Sequence, residues 1–141
     1  MTSSCVTAAE GIAEVWAALT PPRNPAVKYR RIGALTAAAP RAFYFEPPVA
    51  LAETDIGAGM RVVRYQLVAV VRLDVSSENL TTIFEDRLNE GALLEGSVET
   101  NPAWGAGVRA ITVRGSAPRV TDDDQLDLVI RFDVVCEETD R

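Results

Sequence analysis

The most constraining feature of this sequence is an alternation of apolar and polar residues near its C-terminal end. It runs over residues 125–137 and is interrupted only by Val129 and Val135. Alternation with a period of two predicts a β-strand that buries one face. The apolar positions on the predicted buried face are Leu126, Leu128, Ile130, Phe132, Val134 and Cys136.

A second strand is predicted over residues 108–120, so the C-terminal part of the chain is expected to form a long β-hairpin over 108–137. Gly115 and Pro118 indicate a bulge or an edge in its first strand. At ~3.3 Å per residue the second strand would be about 43 Å long. Since strands usually have about 5–6 residues, we expect the hairpin to overhang the domain or to curve around it.

The middle of the chain adds two more strands. Residues 61–73 form the clearest one, and the alternate side chains of Val63, Tyr65, Leu67, Ala69, Val71 and Leu73 should line one face. A shorter strand is predicted over residues 43–46, before Pro47-Pro48. A further short strand within 26–32 is an open alternative.

Two helices are predicted. Over residues 4–19, Ile12, Val15, Trp16 and Leu19 recur at helical spacing on one face. Over residues 77–90 an apolar stripe is followed by Gly91, which favours the left-handed conformation at a helix C-terminus. The stripe consists of Leu80, Ile83, Phe84 and Leu88.

The segment 47–60 shows no clear period, and we interpret it as a mobile arm. It carries apolar residues, of which Leu51, Ile56 and Met60 are candidate subunit-interface residues. An arm of this kind could order against a neighbouring subunit. The alternative is a lid that packs on the chain's own core.

Two other regions supply candidate interface residues. Trp104 lies in a glycine-rich connector over 92–107, where it is either a buried plug on the sheet or an exposed anchor. Asp122, Asp123 and Asp124 lie between the two strands of the hairpin. A solvated turn is the simple interpretation of this cluster, and an electrostatic contact with a partner is the functional one.

Together these elements predict a single domain over residues 1–141 of the α+β class. Helices and strands do not alternate regularly, so we expect a largely antiparallel or mixed sheet, two helices packed on it and a long C-terminal hairpin. A chain of 141 residues is long enough to bury its own core.

The residue content argues against catalysis. The sequence has no histidine and no glycine-rich phosphate-binding motif, which removes most general-base and nucleotide-dependent schemes. Cys5 and Cys136 are far apart in sequence and do not form a metal-binding motif. We therefore expect no enzyme activity, no cofactor and no metal, and we interpret both cysteines as buried small residues.

The charge favours protein partners. The net charge of −6 disfavours binding to nucleic-acid phosphates, and the sequence has no apolar run long enough for a membrane span. Lys28 is the only lysine, so nearly all positive charge is arginine. The strand arginines either pair with nearby acids of the chain or form salt bridges between subunits: Arg64, Arg72, Arg109, Arg114 and Arg131.

The stretch RYQLVAVVRLDVSSENLTTIFEDRLNE, followed by VRAITVRGSAPRV and LDLVIRFDVVCEE, resembles the tail terminator proteins of long-tailed bacterial viruses. In that family a short N-terminal helix precedes a strand, a central strand leads into a capped helix, and a long two-stranded hairpin closes the chain. The resemblance covers most of the chain and lies in the order of elements, the length and the acidity.

The resemblance implies a virion protein that assembles in the host cytoplasm and works at the tail–neck junction. Its copies would form a ring, a hexamer in that family, which ends tube polymerisation and joins the tail to the neck. Its partners would be the tail tube protein, a neck or head-closure protein and further copies of itself. DNA would pass through the lumen without sequence-specific binding, because a net-negative wall repels its phosphates.

Two other functions remain open. One is a head-closure or stopper protein of the neck, which also builds rings from small sheet-rich domains. The other is a small-molecule-binding protein or enzyme, in which Tyr65 and Gln66 would be polar members of a pocket.

Overall fold

The computed structural model describes residues 4–20, 28–32, 41–73, 80–101, 104–120 and 126–139. Two helices and a six-stranded mixed sheet confirm the α+β class, and the last two strands form the C-terminal pair. The elements are α1 (Ser4–Ala17), β1 (Arg30–Arg31), β2 (Ala42–Phe45), β3 (Val49–Gly57), β4 (Met60–Leu73), α2 (Leu80–Glu99), β5 (Val108–Val120) and β6 (Leu126–Thr139).

The strand order of the sheet is β1-β2-β4-β6-β5, and β3 pairs with β4 beside this path. Strand β6 is antiparallel to β4 along its whole length, from Met60 opposite Thr139 to Leu73 opposite Leu126. Its other edge pairs with β5. Strand β4 is as long as β6 and occupies its second edge, so β6 is paired on both sides within the chain's own sheet.

The core lies between the two helices and one face of the sheet. Most of the alternating residues predicted for β4 and β6 are buried there, including Leu67, Val71, Ile130 and Phe132. Tyr65 is partly buried, and the side chains of Leu73 and Leu126 lie outside the described part of the structure. Trp16 of α1 lies at the centre, with its ring centroid 5.1 Å from that of Phe43 and 6.1 Å from that of Phe132. Aromatic contacts of this kind add to the stabilisation from burial.

Helix α2 differs from its prediction at the C-terminal end, since it continues through Gly91 to Glu99. A Cβ at Gly91 would lie 3.3 Å from Ser116 Oγ and 3.8 Å from Leu128 Cδ2. The glycine therefore allows close packing of the helix on β5 and β6 and does not end it. The helix extension buries Leu94 and Val98 in the core.

The segment 47–60, predicted as an irregular mobile arm, contains regular structure. Residues 49–57 form strand β3, which is antiparallel to the first half of β4. All nine of these residues are exposed, so the segment does not pack as a lid on the chain's own core. The missed signal is the glycine-rich turn at Gly57–Gly59, which joins two runs with strand-forming residues.

Candidate functional site

Strand β3 presents an exposed strand edge. Within the described residues it pairs with β4 alone, so the backbone groups along its other edge have no strand partner. Three large apolar side chains are exposed on it: Val49 (55%), Leu51 (45%) and Ile56 (48%). Exposed edges that carry apolar side chains are sites where another chain can be added. We call this strand and its exposed side chains the β3 edge.

The hairpin of β3 and β4 is closed by a tight two-residue turn. Gly57 is opposite Met60, and the intervening Ala58 and Gly59 have φ angles of 56° and 74°. Two successive positive φ angles are typical of a type I′ turn, whose twist matches that of the strands. The Gly57 N–H donates a hydrogen bond of 2.8 Å to Asp55 Oδ1. The β3 edge is therefore held by ordered local structure.

The second surface is the sheet face that lies opposite the helices, which we call the open face. It is formed by the alternate side chains that point away from the core. They include Arg64, Gln66, Val68, Val70 and Arg72 of β4, Arg114, Ala117 and Arg119 of β5, and Asp127, Val129, Arg131, Asp133 and Glu137 of β6.

One aspartate near the end of the open face lies between two arginines. Asp127, 1% exposed, is 2.6 Å from Arg72 Nε through Oδ1 and 3.7 Å from Arg119 Nη2 through Oδ2. Arg72 belongs to β4 and Arg119 to β5, so this arrangement joins three adjacent strands.

The same arrangement recurs six residues further along β6. Asp133, 8% exposed, has Oδ2 2.6 Å from Arg114 Nη2 and 3.7 Å from Arg64 Nη1. On β5 and β6, Arg109 also pairs with Glu137 at 2.6 Å. Four of the five strand arginines highlighted in the sequence thus pair with acids of their own chain.

Between the two aspartates the open face contains a groove of about 540 Å³. The residues that line the groove include Val68, Ala117, Val129 and Glu46. Arg131 also lines the groove, is exposed and has no ion pair within the described residues. It is directly opposite Val68 in the sheet register. The groove therefore combines apolar side chains with one uncommitted guanidinium group.

The other interface candidates are placed differently. The Trp104 side chain is 9% exposed and packs in the core, and a Cβ at Gly11 of α1 would lie 3.1 Å from its Cε3 atom. The buried-plug alternative is confirmed and the exposed anchor is wrong, because the missing side chain at Gly11 leaves room for the indole. Met60 is half-buried at the start of β4. Asp122, Asp123 and Asp124 lie outside the described residues.

A buried polar cluster joins α2 to the chain before β2. The Tyr29 hydroxyl donates a 2.6 Å hydrogen bond to Glu90 Oε1, and Arg41 Nε lies 2.6 Å from the same oxygen. All three side chains are buried. Burial and the hydrogen bond to Glu90 raise the pKa of Tyr29. The hydroxyl therefore stays protonated, and the cluster acts as an internal link between elements.

Tyr65, which the sequence suggested as a polar residue of a pocket, forms a hydrogen bond within the chain. Its hydroxyl donates to the Glu138 carboxylate, at 2.9 Å from Oε1 and 2.8 Å from Oε2. Burial, followed by this hydrogen bond, raises the pKa of Tyr65. Tyr65 lines neither the open-face groove nor the groove between α1 and α2, whereas Gln66 lines the former.

Both cysteines are buried as reduced thiols. Burial raises the pKa of Cys5 to about 11 and that of Cys136 to about 12, and the negative charge of Glu138 acts in the same direction. In the described parts of the chain, cysteines and acidic residues form no group of three or more that could hold a metal ion. No helix among the described residues is long and apolar enough to cross a membrane.

No known family model matches this chain, and no curated protein sequence matches it either.

Proposed function

We propose that this chain is a virion structural protein, a tail terminator whose copies form a ring at the head-proximal end of the tail tube. The ring ends tube polymerisation and joins the tail to the neck. The observation that carries the proposal is the β3 edge, where nine consecutive strand residues are all exposed and one backbone edge has no partner strand within the described residues.

A strand of this kind favours assembly. Natural sheets protect their edges with charges, prolines or bulges, and β3 has two register shifts beside β4 but also exposes Val49, Leu51 and Ile56. Their burial against a neighbouring chain would be favourable by about 25 cal/mol per Å² of apolar surface. A second chain that covers the β3 edge would therefore remove apolar surface from water.

The charge distribution is compatible with a channel for DNA. The chain as a whole carries a net charge of −6, whereas the open face includes five arginines and three acidic residues, Asp127, Asp133 and Glu137. An arginine-rich wall would bind phosphates and retard the DNA. In the proposed ring the open face is therefore turned toward protein and away from the lumen.

The test is assembly of the purified full-length chain, measured by sedimentation velocity over a range of concentrations and by electron microscopy of the particles. We expect a closed ring that dissociates when Leu51→Lys or Ile56→Lys places a charge on the β3 edge. Val6→Lys is the matched control, because Val6 is an exposed apolar residue on α1. A chain that stays monomeric at high concentration and does not bind tail tubes would contradict the proposal.

A second measurement separates the terminator from the head-closure alternative. The purified protein is added to isolated tails and, separately, to DNA-filled heads, and its position is determined by electron microscopy. A terminator binds the head-proximal end of isolated tails. Binding to filled heads alone would instead identify a stopper of the neck.

A further inference from the structure

We propose that the open face receives the β3 edge of a second copy of this chain, with Arg131 pairing with the Glu53 carboxylate of that copy. This inference rests on the proposed assembly function and names the two surfaces that meet. The inference depends on two surfaces of the chain. One is the groove of the open face, where Arg131 forms no ion pair within the described residues, and the other is the exposed strand β3, which carries acidic and apolar side chains.

Arg131 is the cation of the open face that is available to a partner. Arg72 and Arg119 share Asp127, and Arg64 and Arg114 share Asp133. Arg131 lies between these two aspartates on β6, is exposed, and forms no ion pair within the part of the chain that the structure describes. Its planar guanidinium group can bind a carboxylate through two parallel hydrogen bonds.

The β3 edge has the complementary composition. Its sequence, VALAETDIG, contains two carboxylates and no basic residue. The Glu53 side chain is 54% exposed, and among the described residues its one ion pair is a 3.1 Å contact with the partly exposed Arg61. Exposed pairs of this type contribute little to stability. Replacement of the Glu53–Arg61 contact by a contact between Glu53 and an arginine of a neighbouring chain therefore has a small free-energy cost.

Asp55 is the less suitable carboxylate, because its Oδ1 already accepts the Gly57 N–H in the turn. The apolar residues Leu51 and Ile56 lie on either side of Glu53 and span about 17 Å of extended chain. The groove of about 540 Å³ lies within the usual range of roughly 300–1,000 Å³ for binding pockets. It can take a few side chains of the strand against Val68, Ala117 and Val129.

The two surfaces are different patches of the same chain, so their contact is head-to-tail. Such heterologous contacts form closed rings when the rotation between neighbours closes. The groove and the β3 edge adjoin at Val49, which lines the groove and begins β3. Each copy thus carries the donor strand and the receptor groove side by side.

The experiment is a charge exchange in the full-length chain, measured by sedimentation velocity. Arg131→Glu and Glu53→Arg should each weaken assembly at least about tenfold, since close interfacial charge pairs contribute 1.5 kcal/mol or more in double-mutant cycles. The double variant should assemble within about threefold of the wild type. Glu14→Arg, a charge reversal at an exposed site on α1, is the control that should leave assembly unchanged.

Folding is checked separately, because Arg131→Glu adds a carboxylate between Asp127 and Asp133. Arg131→Gln removes the guanidinium without adding this repulsion and should also weaken assembly. Circular dichroism and the urea midpoint show whether each variant is folded. If the folded Arg131→Gln protein assembles like the wild type, or if the double variant assembles no better than the single ones, the proposed pairing is overturned.

This inference and the ring proposal can fail independently. If the wild type forms rings and the charge reversals leave them intact, the pairing is wrong and the ring proposal stands. If the wild type stays monomeric, the ring proposal fails, and binding of the labelled peptide VALAETDIG to the full-length chain decides the inference. The peptide should bind the wild type and lose affinity for the Arg131→Gln variant, and equal binding to both would overturn the pairing.

Discussion

Arg72 and Asp127 occupy directly opposite positions on β4 and β6, and their side chains form a buried ion pair with 2.6 Å between Nε and Oδ1. The pair lies on the open face, where no helix of the described chain covers the sheet. Asp127 is 1% exposed, so the guanidinium groups around it replace water as its polar partners. Removal of one partner from such a pair leaves a buried charge without full compensation.

We expect Arg72→Met to lower the free energy of unfolding by roughly 3–5 kcal/mol, because it leaves Asp127 with Arg119 alone. Arg64→Met is the matched control, since Arg64 is 46% exposed and 3.7 Å from Asp133. Its loss should cost less than about 1 kcal/mol. Urea unfolding followed by circular dichroism measures both values. Equal effects of the two substitutions would contradict the role assigned to the buried pair.

The link between Tyr29 and Glu90 predicts a second difference in stability. Tyr29→Phe removes the donor of a buried 2.6 Å hydrogen bond to a carboxylate and should cost roughly 1.5–3 kcal/mol. Tyr44→Phe is the control, because the half-buried Tyr44 on β2 has no hydrogen-bond partner among the described residues. The thermal midpoint and the urea midpoint should fall only for Tyr29→Phe. A comparable fall for both would show that the hydroxyl of Tyr29 has no special role.

Gly107 tests the contact between the start of α1 and β6. Its φ of 83° is in the left-handed region, and a Cβ there would overlap Ser4 Oγ and lie 3.2 Å from the Glu137 carbonyl oxygen. Gly59 has a similar φ of 74° but no neighbour within 4 Å of its Cβ position. Gly59→Ala should therefore cost only the backbone strain of about 1–2 kcal/mol.

Gly107→Ala should cost roughly 1–3 kcal/mol more than Gly59→Ala, because the added methyl group meets packed atoms. The two variants are compared by urea unfolding under the same conditions. If they were equally stable, the N-terminal turn of α1 would not be packed against β6 in solution.

The buried cysteines predict a loss of stability in alkaline solution. The folded-state pKa values of about 11 for Cys5 and about 12 for Cys136 lie above the ordinary value of 9.0. The two buried thiols contribute their full stabilisation of the fold below pH 9, where they are protonated in both the folded and the unfolded chain. This stabilisation decreases as the pH rises from 9 toward 11 and 12, because the unfolded chain ionises first.

The measurement is the free energy of unfolding as a function of pH, for the wild type and for the variant Cys5→Ala with Cys136→Ala. The variant should be less stable at neutral pH, since it loses buried groups, but its stability should fall less steeply above pH 9. Alkylation of the thiols should also be slow in the folded protein. An equally steep fall in both proteins would assign the alkaline transition to other groups, such as the buried Tyr29.

Local sequence patterns were sufficient for the main framework. The period of two in β4 and β6 identifies which residues face the helices, and the helical spacing of Ile12 and Trp16 identifies the buried face of α1. These patterns are readable because each element must bury one face to contribute to a core. The α+β class follows from the order of those elements.

The candidate site depended on contacts between residues distant in sequence. Strand β3 has no alternation because all its residues are exposed, and its pairing with β4 identifies it as a strand. The Gly57–Gly59 turn was the local signal that accompanied it. Gly91 indicated a helix end by composition, but its actual role is set by Ser116 and Leu128, which pack against it.

The sequence alone determined the burial pattern of the long strands, since the alternation of side chains is a local property of extended backbone. Only the tertiary structure decided which charges are neutralised and which remain available. Asp127 and Asp133 lie between arginines of two neighbouring strands, whereas Arg131 on the same strand forms no ion pair with any acid of the described residues. Register across the sheet sets these distances, and electrostatic partners depend on distance rather than on separation along the chain.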